Sequence, residues 1–376
     1  MCQSINHHEI VGSFLRPEPL KKAREAYTTG VISGKELKEV EDQAIKELIA
    51  KQKAAGLKVV SDGEFRRSYW HLDFFWGLAG VEHTLMEQGY LFQGEETRAD
   101  SARLVGKVAF DPSHPVFDEY RFAAKVAEGV PVRQSIPAPA QFYAELVRDT
   151  NEAYVDRFYP DREVLFEDIG RAYRETILAL YTLGCRQIKL DDCTWGMLVD
   201  QNFWQTMTNG SFDPTALQEI YMELNNRALV DLPEDLHVTT HICRGNYHST
   251  WATSGGYEPV AATLFGRETV EAFFLEFDDE RSGGFEPLRY VSADKKVVLG
   301  LVTSKDGQLE DKASLIARIN EASAYIPLDR LSLSPQCGFA STEEGNILSE
   351  EEQWKKINLI TEVAQEVWGL QGVPAV

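Results

Sequence analysis

Along this chain, short runs of β-branched and apolar residues alternate with longer stretches whose apolar positions recur every three or four residues. The short runs are EIVGSF (9–14), LKVVSDGE (57–64), VPVRQSIP (130–137), RQIKLDD (186–192), DLHVTTHIC (235–243), VEAFFLEF (270–277), KKVVLGLV (295–302) and DRLSLSP (329–335). Their length and composition read as strands. Residues 35–56 place Leu37, Val40, Ala44, Leu48 and Ala55 at helical spacing and close on Gly56, and 161–184 close on Gly184 in the same way. Residues 213–230, 308–323 and 351–368 read as further helices. Eight strands alternating with helices imply parallel βαβ units, and eight such units predict a TIM (β/α)8 barrel, taken as one domain over residues 1–376.

Two stretches break the alternation. Residues 65–115 follow the second strand, are aromatic at Tyr69, Trp70, Phe74, Phe75 and Trp76, and then turn polar. They predict an inserted hairpin or lid. Residues 139–160, after the third strand, read as a second, irregular insertion. No GxGxxG follows a strand and no P-loop is present, so the pattern gives no support to a nucleotide-binding domain.

Composition narrows the function classes. With 376 residues, 43% of them hydrophobic and 26% charged, the chain buries a core without disulfide staples. The balance of 38 basic against 59 acidic side chains, a net charge of −21, repels phosphate backbones and anionic membranes, so neither nucleic acid nor a membrane is an expected partner. No apolar run approaches the roughly 20 residues of a membrane helix. The opening MCQSINHHEIVGS lacks the basic start and apolar stretch of a signal peptide. The five cysteines, Cys2, Cys185, Cys193, Cys243 and Cys337, are odd in number and scattered, which predicts reduced thiols and a cytoplasmic setting.

In a barrel of this kind, function sits where strands end. Those positions hold Gly12-Ser13, Asp62-Gly63-Glu64, Asp191-Asp192, His241-Ile242-Cys243, Glu276 and Pro335-Gln336-Cys337-Gly338. Five of the six clusters carry a side chain able to bind a metal or take a proton, where a purely structural barrel would end its strands on apolar residues. His241 and Cys243 lie two apart and share one face of an extended strand. With Glu276 and Cys337 they make a candidate tetrahedral zinc site, and two thiolates select against magnesium and calcium. Taken singly, an HxC pair is more often packed core. Cys193 in LDDCTW is the rival thiol at the same rim, and Cys185 reads as core.

In order along the chain, IVGSFLRP (10–17), AAGLKVVSDGEFRR (54–67), IKLDD (188–192), THICRGN (240–246), LEFDDERSG (275–283) and LSPQCGF (333–339) resemble the segments of the catalytic barrel of cobalamin-independent methionine synthase. The likeness runs from about residue 8 to 370. It implies Zn2+ held by His241, Cys243, Glu276 and Cys337. It also implies that Gly12, Ser13, Glu64 and Asp191 hold the amino-acid part of homocysteine, with Asp192 as the alternative to Asp191. The implied reaction is attack of a zinc-activated homocysteine thiolate on a methyl donor, 5-methyltetrahydrofolate or a related one, to give methionine. Residue chemistry agrees, since an ammonium needs carboxylates and a carboxylate needs hydroxyl or N–H donors.

Three features depart from the family. Full-length members carry a second, N-terminal barrel, for which this chain has no room. The family's proton-relay His after strand seven is replaced in GLVTSKDG (300–307), where Thr303 and Lys305 stand for its Asp and His. Lys305 is thereby a candidate proton donor or a surface loop residue. The segment SIPAPAQFY (135–143) lacks the Trp that stacks on the pterin, leaving Phe142 or Tyr143 to do so. The thiol-activating half is intact and the donor half is altered, so folate, a methylated corrinoid on a partner protein, or a small methylated thiol or sulfonium all remain open. Alkyl transfer to another thiol, such as epoxide opening, and a non-catalytic homocysteine-binding barrel are the competing classes. A decarboxylase-like barrel would not need the His–Cys–Glu–Cys set.

Overall fold

The computed structural model describes residues 5–200 and 213–369. Six of the predicted strands form one parallel sheet in chain order: β3 (Arg133–Pro137), β4 (Gln187–Asp192), β5 (His237–Ile242), β6 (Ala272–Glu276), β7 (Lys296–Val302) and β8 (Leu331–Pro335). Every described residue of β4, β6 and β8 is buried, as expected of strands covered on both faces. Helices α2 (Gly34–Ala54), α4 (Val116–Ala127), α7 (Arg162–Thr182), α9 (Pro214–Ala228), α10 (Glu258–Arg267) and α11 (Lys312–Ala322) fall in the intervals between staves, and α12 (Glu350–Trp368) follows the last. The arrangement is the expected α/β barrel.

The first two predicted strands need correction. Residues 9–14 and 57–64 form no ladder. The first reaches the sheet only through the residue before it, by a parallel bridge from His8 to Leu333 on β8, and the second through one parallel bridge from Val60 to Val132 beside β3. Side chains satisfy much of the backbone there instead. Both backbone groups of Ser61 are taken by Gln52, at 2.8 and 2.9 Å, and Ser61 Oγ donates to the Gly12 carbonyl at 2.6 Å. The Phe14 N–H donates to the Gly63 carbonyl at 3.2 Å, so the two segments meet each other across the seam. The second segment stops at Gly63 and Glu64, whose φ values of +70° and +60° turn the chain out of the extended region.

The insertion after the second segment holds a short helix, α3 (Leu72–Phe75), and an antiparallel hairpin, β1 (Ala79–Leu85) with β2 (Asp100–Ala109). Residues 139–160, expected to be irregular, instead hold α5 (Pro139–Leu146) and α6 (Glu152–Phe158). Pro139 occupies the first helical position, where its missing N–H costs nothing and its fixed φ favours the helix. Short α1 (Glu18–Thr28) and α8 (Thr194–Leu198) were not singled out from the sequence. Among the described residues no helix is long and apolar enough to cross a membrane.

Candidate metal centre and its cavity

Parallel register places the key side chains. Asp191 on β4 stands opposite His241 on β5. Asp191 Oδ1 lies 3.2 Å from His241 Nδ1, and the other ring nitrogen lies 3.1 Å from the Gln336 carbonyl. Cys243 follows β5, Glu276 ends β6, and Cys337 follows β8. The ligand atoms of His241, Cys243, Glu276 and Cys337 all fall within 4.8 Å of one another, and all four residues are buried. The two sulfurs are 3.7 Å apart. That is far beyond a disulfide and matches the roughly 3.8 Å that two thiolates span on a tetrahedral zinc at about 2.3 Å each.

The donor set asks for a cation. Glu276 is fully buried, with Oε1 accepting from the Arg244 N–H at 2.9 Å and Oε2 3.5 Å from Arg281. Hydrogen bonding to Cys243, then burial, pushes the Cys337 thiol well above its usual range, and Cys193 does the same to Cys243. Two thiols and a carboxylate crowded out of water ionise together only around a bound positive ion. The residues present therefore fit zinc. Asp191 on the imidazole is the kind of partner that orients a metal-bound histidine.

Beside the cluster opens a cavity of about 950 Å³, and Ser13, Glu64, Asp191, His241, Cys243 and Cys337 all line it. Glu64 is buried, its Oε2 has no partner, and its Oε1 lies 3.9 Å from Arg67. Burial pushes its carboxyl up to about 7, against the pull of Arg67. For Asp191, burial alone would raise the pKa, but Lys189 at 2.8 Å and then His241 outweigh it and hold the carboxyl below its usual range. Asp192 is turned away. It is fully buried and accepts from Thr194 and from Asn225 Nδ2 at 3.0 Å.

Gly12 does not line the cavity. A side chain there would meet Ser135 Oγ at 2.9 Å and both Glu64 Oε1 and Lys189 Nζ at 3.4 Å, so glycine lets the first segment lie against the carboxylate. Ser13 Oγ accepts from the Ala340 N–H at 3.3 Å, tying the first segment to the loop that carries Cys337.

Several participants escaped the sequence reading. Lys189 is wholly buried and braces Asp191. Its signal was a lysine two places before Asp191 in a buried strand, hence on the same face. Trp70 and Met197 pack against the buried cluster formed by Cys193, Cys243 and Cys337, so Cys193 is a third thiol beside the candidate ligands. The hairpin connection adds Tyr90 and Phe92 to the cavity wall. Of the two residues offered to replace the missing Trp, Tyr143 lines the cavity, whereas Phe142 is wholly buried and does not. Lys305 is buried rather than on the surface, 3.7 Å from Asp278, and is not among the lining residues. Cys185 is core, and Cys2 lies outside the described residues.

Residues 8–365 match the family described as cobalamin-independent synthase, catalytic domain. A Bacillus subtilis relative, named uncharacterized protein YxjH, is 43% identical over 95% of this chain and 93% of its own length. The crystal structure of a putative vitamin-B12 independent methionine synthase from Listeria monocytogenes is 39% identical, covers 97% of this chain and 98% of that one, and superposes with a TM-score of 0.77. A B12-independent methionine synthase from Shewanella, in complex with selenomethionine, shares the fold at 20% identity with a TM-score of 0.72, over 96% of this chain and 98% of that one. A barrel whose strand ends bring His, Cys, Glu and Cys together beside a cavity agrees with these findings, and the chain belongs to the cobalamin-independent methionine synthase family.

Proposed function

We propose that this protein is a zinc-dependent methyltransferase that moves a methyl group to the thiol of homocysteine and so forms methionine. The observation that carries this reading is the buried His241–Cys243–Glu276–Cys337 cluster opening onto a cavity that also holds two carboxylates, Glu64 and Asp191. Those four residues would hold the metal. Zinc, when bound, supplies a Lewis acid that brings a substrate thiol to its thiolate at neutral pH.

The chain's own residues do the rest. Asp191 orients the His241 ring and, with Glu64, offers negative charge to the ammonium of an amino acid. The unpartnered Oε2 of Glu64 is a ready acceptor for it. Ser13 lies on the same wall for the carboxylate. Methyl transfer forms an S–CH3 bond and breaks the bond from the methyl carbon to the donor, whose leaving group takes the electron pair. The ammonium-binding carboxylates favour an amino acid over a simple thiol as acceptor. Family membership suggests 5-methyltetrahydrofolate as donor, while a family described as cobalamin-independent lends no support to a corrinoid partner.

The test pairs metal content with turnover. Wild-type protein is expected to bind one zinc per chain and to form methionine from homocysteine and a methyl donor. Cys337→Ser is expected to lose zinc and activity together, and stoichiometric zinc retained by that variant would overturn the ligand assignment. Bound homocysteine with no methionine from any donor would point instead to a different acceptor or to a binding role.

A further inference from the structure

We propose that His71 is the catalytic acid of the methyl transfer, giving a ring proton to the leaving amine of the donor while Glu145 replaces that proton through the Tyr90 hydroxyl. The inference rests on the transfer to homocysteine proposed above, with a methylated amine such as 5-methyltetrahydrofolate as donor, and names the residues that serve the leaving group.

The chemistry sets the need. When the acceptor thiolate takes the methyl carbon, the carbon–nitrogen bond breaks and its electron pair stays on the nitrogen. That nitrogen leaves as an amide-like anion unless an acid protonates it. Lys305, the acid suggested by the sequence, lies 3.7 Å from Asp278 and off the cavity wall. Glu64 is on the wall, but the acceptor's ammonium needs its negative charge, so it is not the proton source for the donor in the same turnover.

Among its described residues the wall carries two imidazoles, His241 and His71. His241 is a candidate metal ligand, and both its ring nitrogens already have neighbours in Asp191 and the Gln336 carbonyl. His71 comes from the insertion and is fixed by other rings. Its centroid lies 4.5 Å from that of Trp70, 5.3 Å from Tyr90 and 5.6 Å from Phe75, the last two edge-on. Trp70 in turn packs against the cluster of Cys193, Cys243 and Cys337. The imidazole is thus one ring away from the thiols beside which the methyl group has to pass. Its Nδ1 is buried without a partner, a position that asks for one from the substrate.

The other ring nitrogen leads to a proton store. His71 Nε2 lies 3.0 Å from the Tyr90 hydroxyl, and that hydroxyl lies 2.6 Å from Glu145 Oε2. Glu145 stands on α5, and all three residues line the cavity. Burial raises its carboxyl above the usual range, against the pull of Arg148 at 3.4 Å. A protonated Glu145 donates to the Tyr90 oxygen, and Tyr90 donates to Nε2, which leaves the ring hydrogen on Nδ1. In the transfer the leaving nitrogen takes the Nδ1 hydrogen, Nε2 takes that of the tyrosine, and the tyrosine oxygen takes that of Glu145. The imidazole exchanges tautomers and is never charged. That suits a ring whose pKa burial, then Arg148, pushes down to about 3. The negative charge ends on Glu145, where Ser101 Oγ donates to Oε1 and Arg148 lies close. Asn151 Nδ2 donates to Ser101 Oγ at 3.0 Å and so turns that hydroxyl toward the carboxylate. Water in the cavity returns the proton to Glu145 before the next turnover.

The test uses full-length, zinc-loaded protein with homocysteine and two donors in separate arms. Triglutamyl 5-methyltetrahydrofolate needs a proton on its leaving nitrogen, whereas iodomethane leaves as iodide and needs none. Both rates are taken above the protein-free background. His71→Gln is expected to lower kcat with the folate about a hundredfold, and Tyr90→Phe, which keeps the ring and cuts the chain at the hydroxyl, about tenfold. Zinc content, calorimetric affinity for homocysteine and the iodomethane rate are expected to stay near wild type in both variants. A fall shared by the two donors, or a weakened affinity for homocysteine, would mark a structural role and overturn the proposal. A folate rate undiminished in His71→Gln would overturn it as well. Methionine formed by wild type from iodomethane alone would exclude a methylated-amine donor, overturning the relay and leaving the homocysteine reading standing. Methionine from neither donor would overturn both.

Discussion

At the scale of single residues, Glu64 has the most telling environment. It sits at φ +60°, a conformation that costs a non-glycine residue energy, and aims an unpartnered oxygen into the structure beside the cavity. Its carboxyl, held up at about 7 by burial, is neutral below that pH and charged above it. Only the charged form attracts an ammonium. The KM for homocysteine is therefore expected to rise as pH falls from 8 to 6, with kcat less affected. Glu64→Gln should show a raised KM that no longer changes across that window. A wild-type KM flat between those pH values would show that Glu64 is not the ammonium partner. The choice between Asp191 and Asp192 is also a residue-scale matter. The two adjoin in sequence and differ by one step of the pleat, which sends one toward the cavity and the other to Thr194 and Asn225.

At the scale of elements, one side chain ties several together. Asn225 on α9 donates to Asp192 at the end of β4 and to Glu268 ahead of β6, each at 3.0 Å, and accepts from the Ala140 N–H in the first turn of α5. Glu268 is fully buried, and burial, followed by the nearby Asp192, pushes its carboxyl up to about 8. The folded state thus keeps a proton that the unfolded chain releases near the ordinary value of 4.5. The folded protein binds more protons between those two values, so this group's contribution to stability falls as pH rises through that window. The urea midpoint of wild type is expected to drop between pH 6 and pH 9. Glu268→Gln keeps the hydrogen bond to Asn225 and should flatten that drop, and an equally steep drop in the variant would place the pH dependence elsewhere. The same scale explains the two weak staves. Gln52 on α2 satisfies the backbone of Ser61, so a neighbouring strand has nothing left to pair with there.

At the scale of the whole molecule, the candidate metal ligands come from staves that are far apart in sequence. His241 and Cys243 come with β5, Glu276 with β6 and Cys337 with the loop after β8. An ion bound only by the folded state stabilises it by mass action, about 2.7 kcal/mol at a free concentration one hundred times Kd. Zinc-loaded protein is expected to melt roughly 3 °C above the chelator-treated form, and Cys337→Ser should show no such difference. Equal melting temperatures for the loaded and stripped wild type would argue against a site closed by folding. The sequence by itself determined the order of strands and helices, the place of the insertion and the identity of the four candidate ligands, because hydrophobic period and residue type are local properties. Only the tertiary structure decided that the first two staves are single bridges, that Asp191 rather than Asp192 meets His241, that Lys189 braces it, that Lys305 is buried 3.7 Å from Asp278 and off the cavity wall, and that Trp70 packs on the cysteine cluster from the insertion. Each of these depends on register, burial and the satisfaction of polar groups by partners dozens to hundreds of residues away, which no local pattern records.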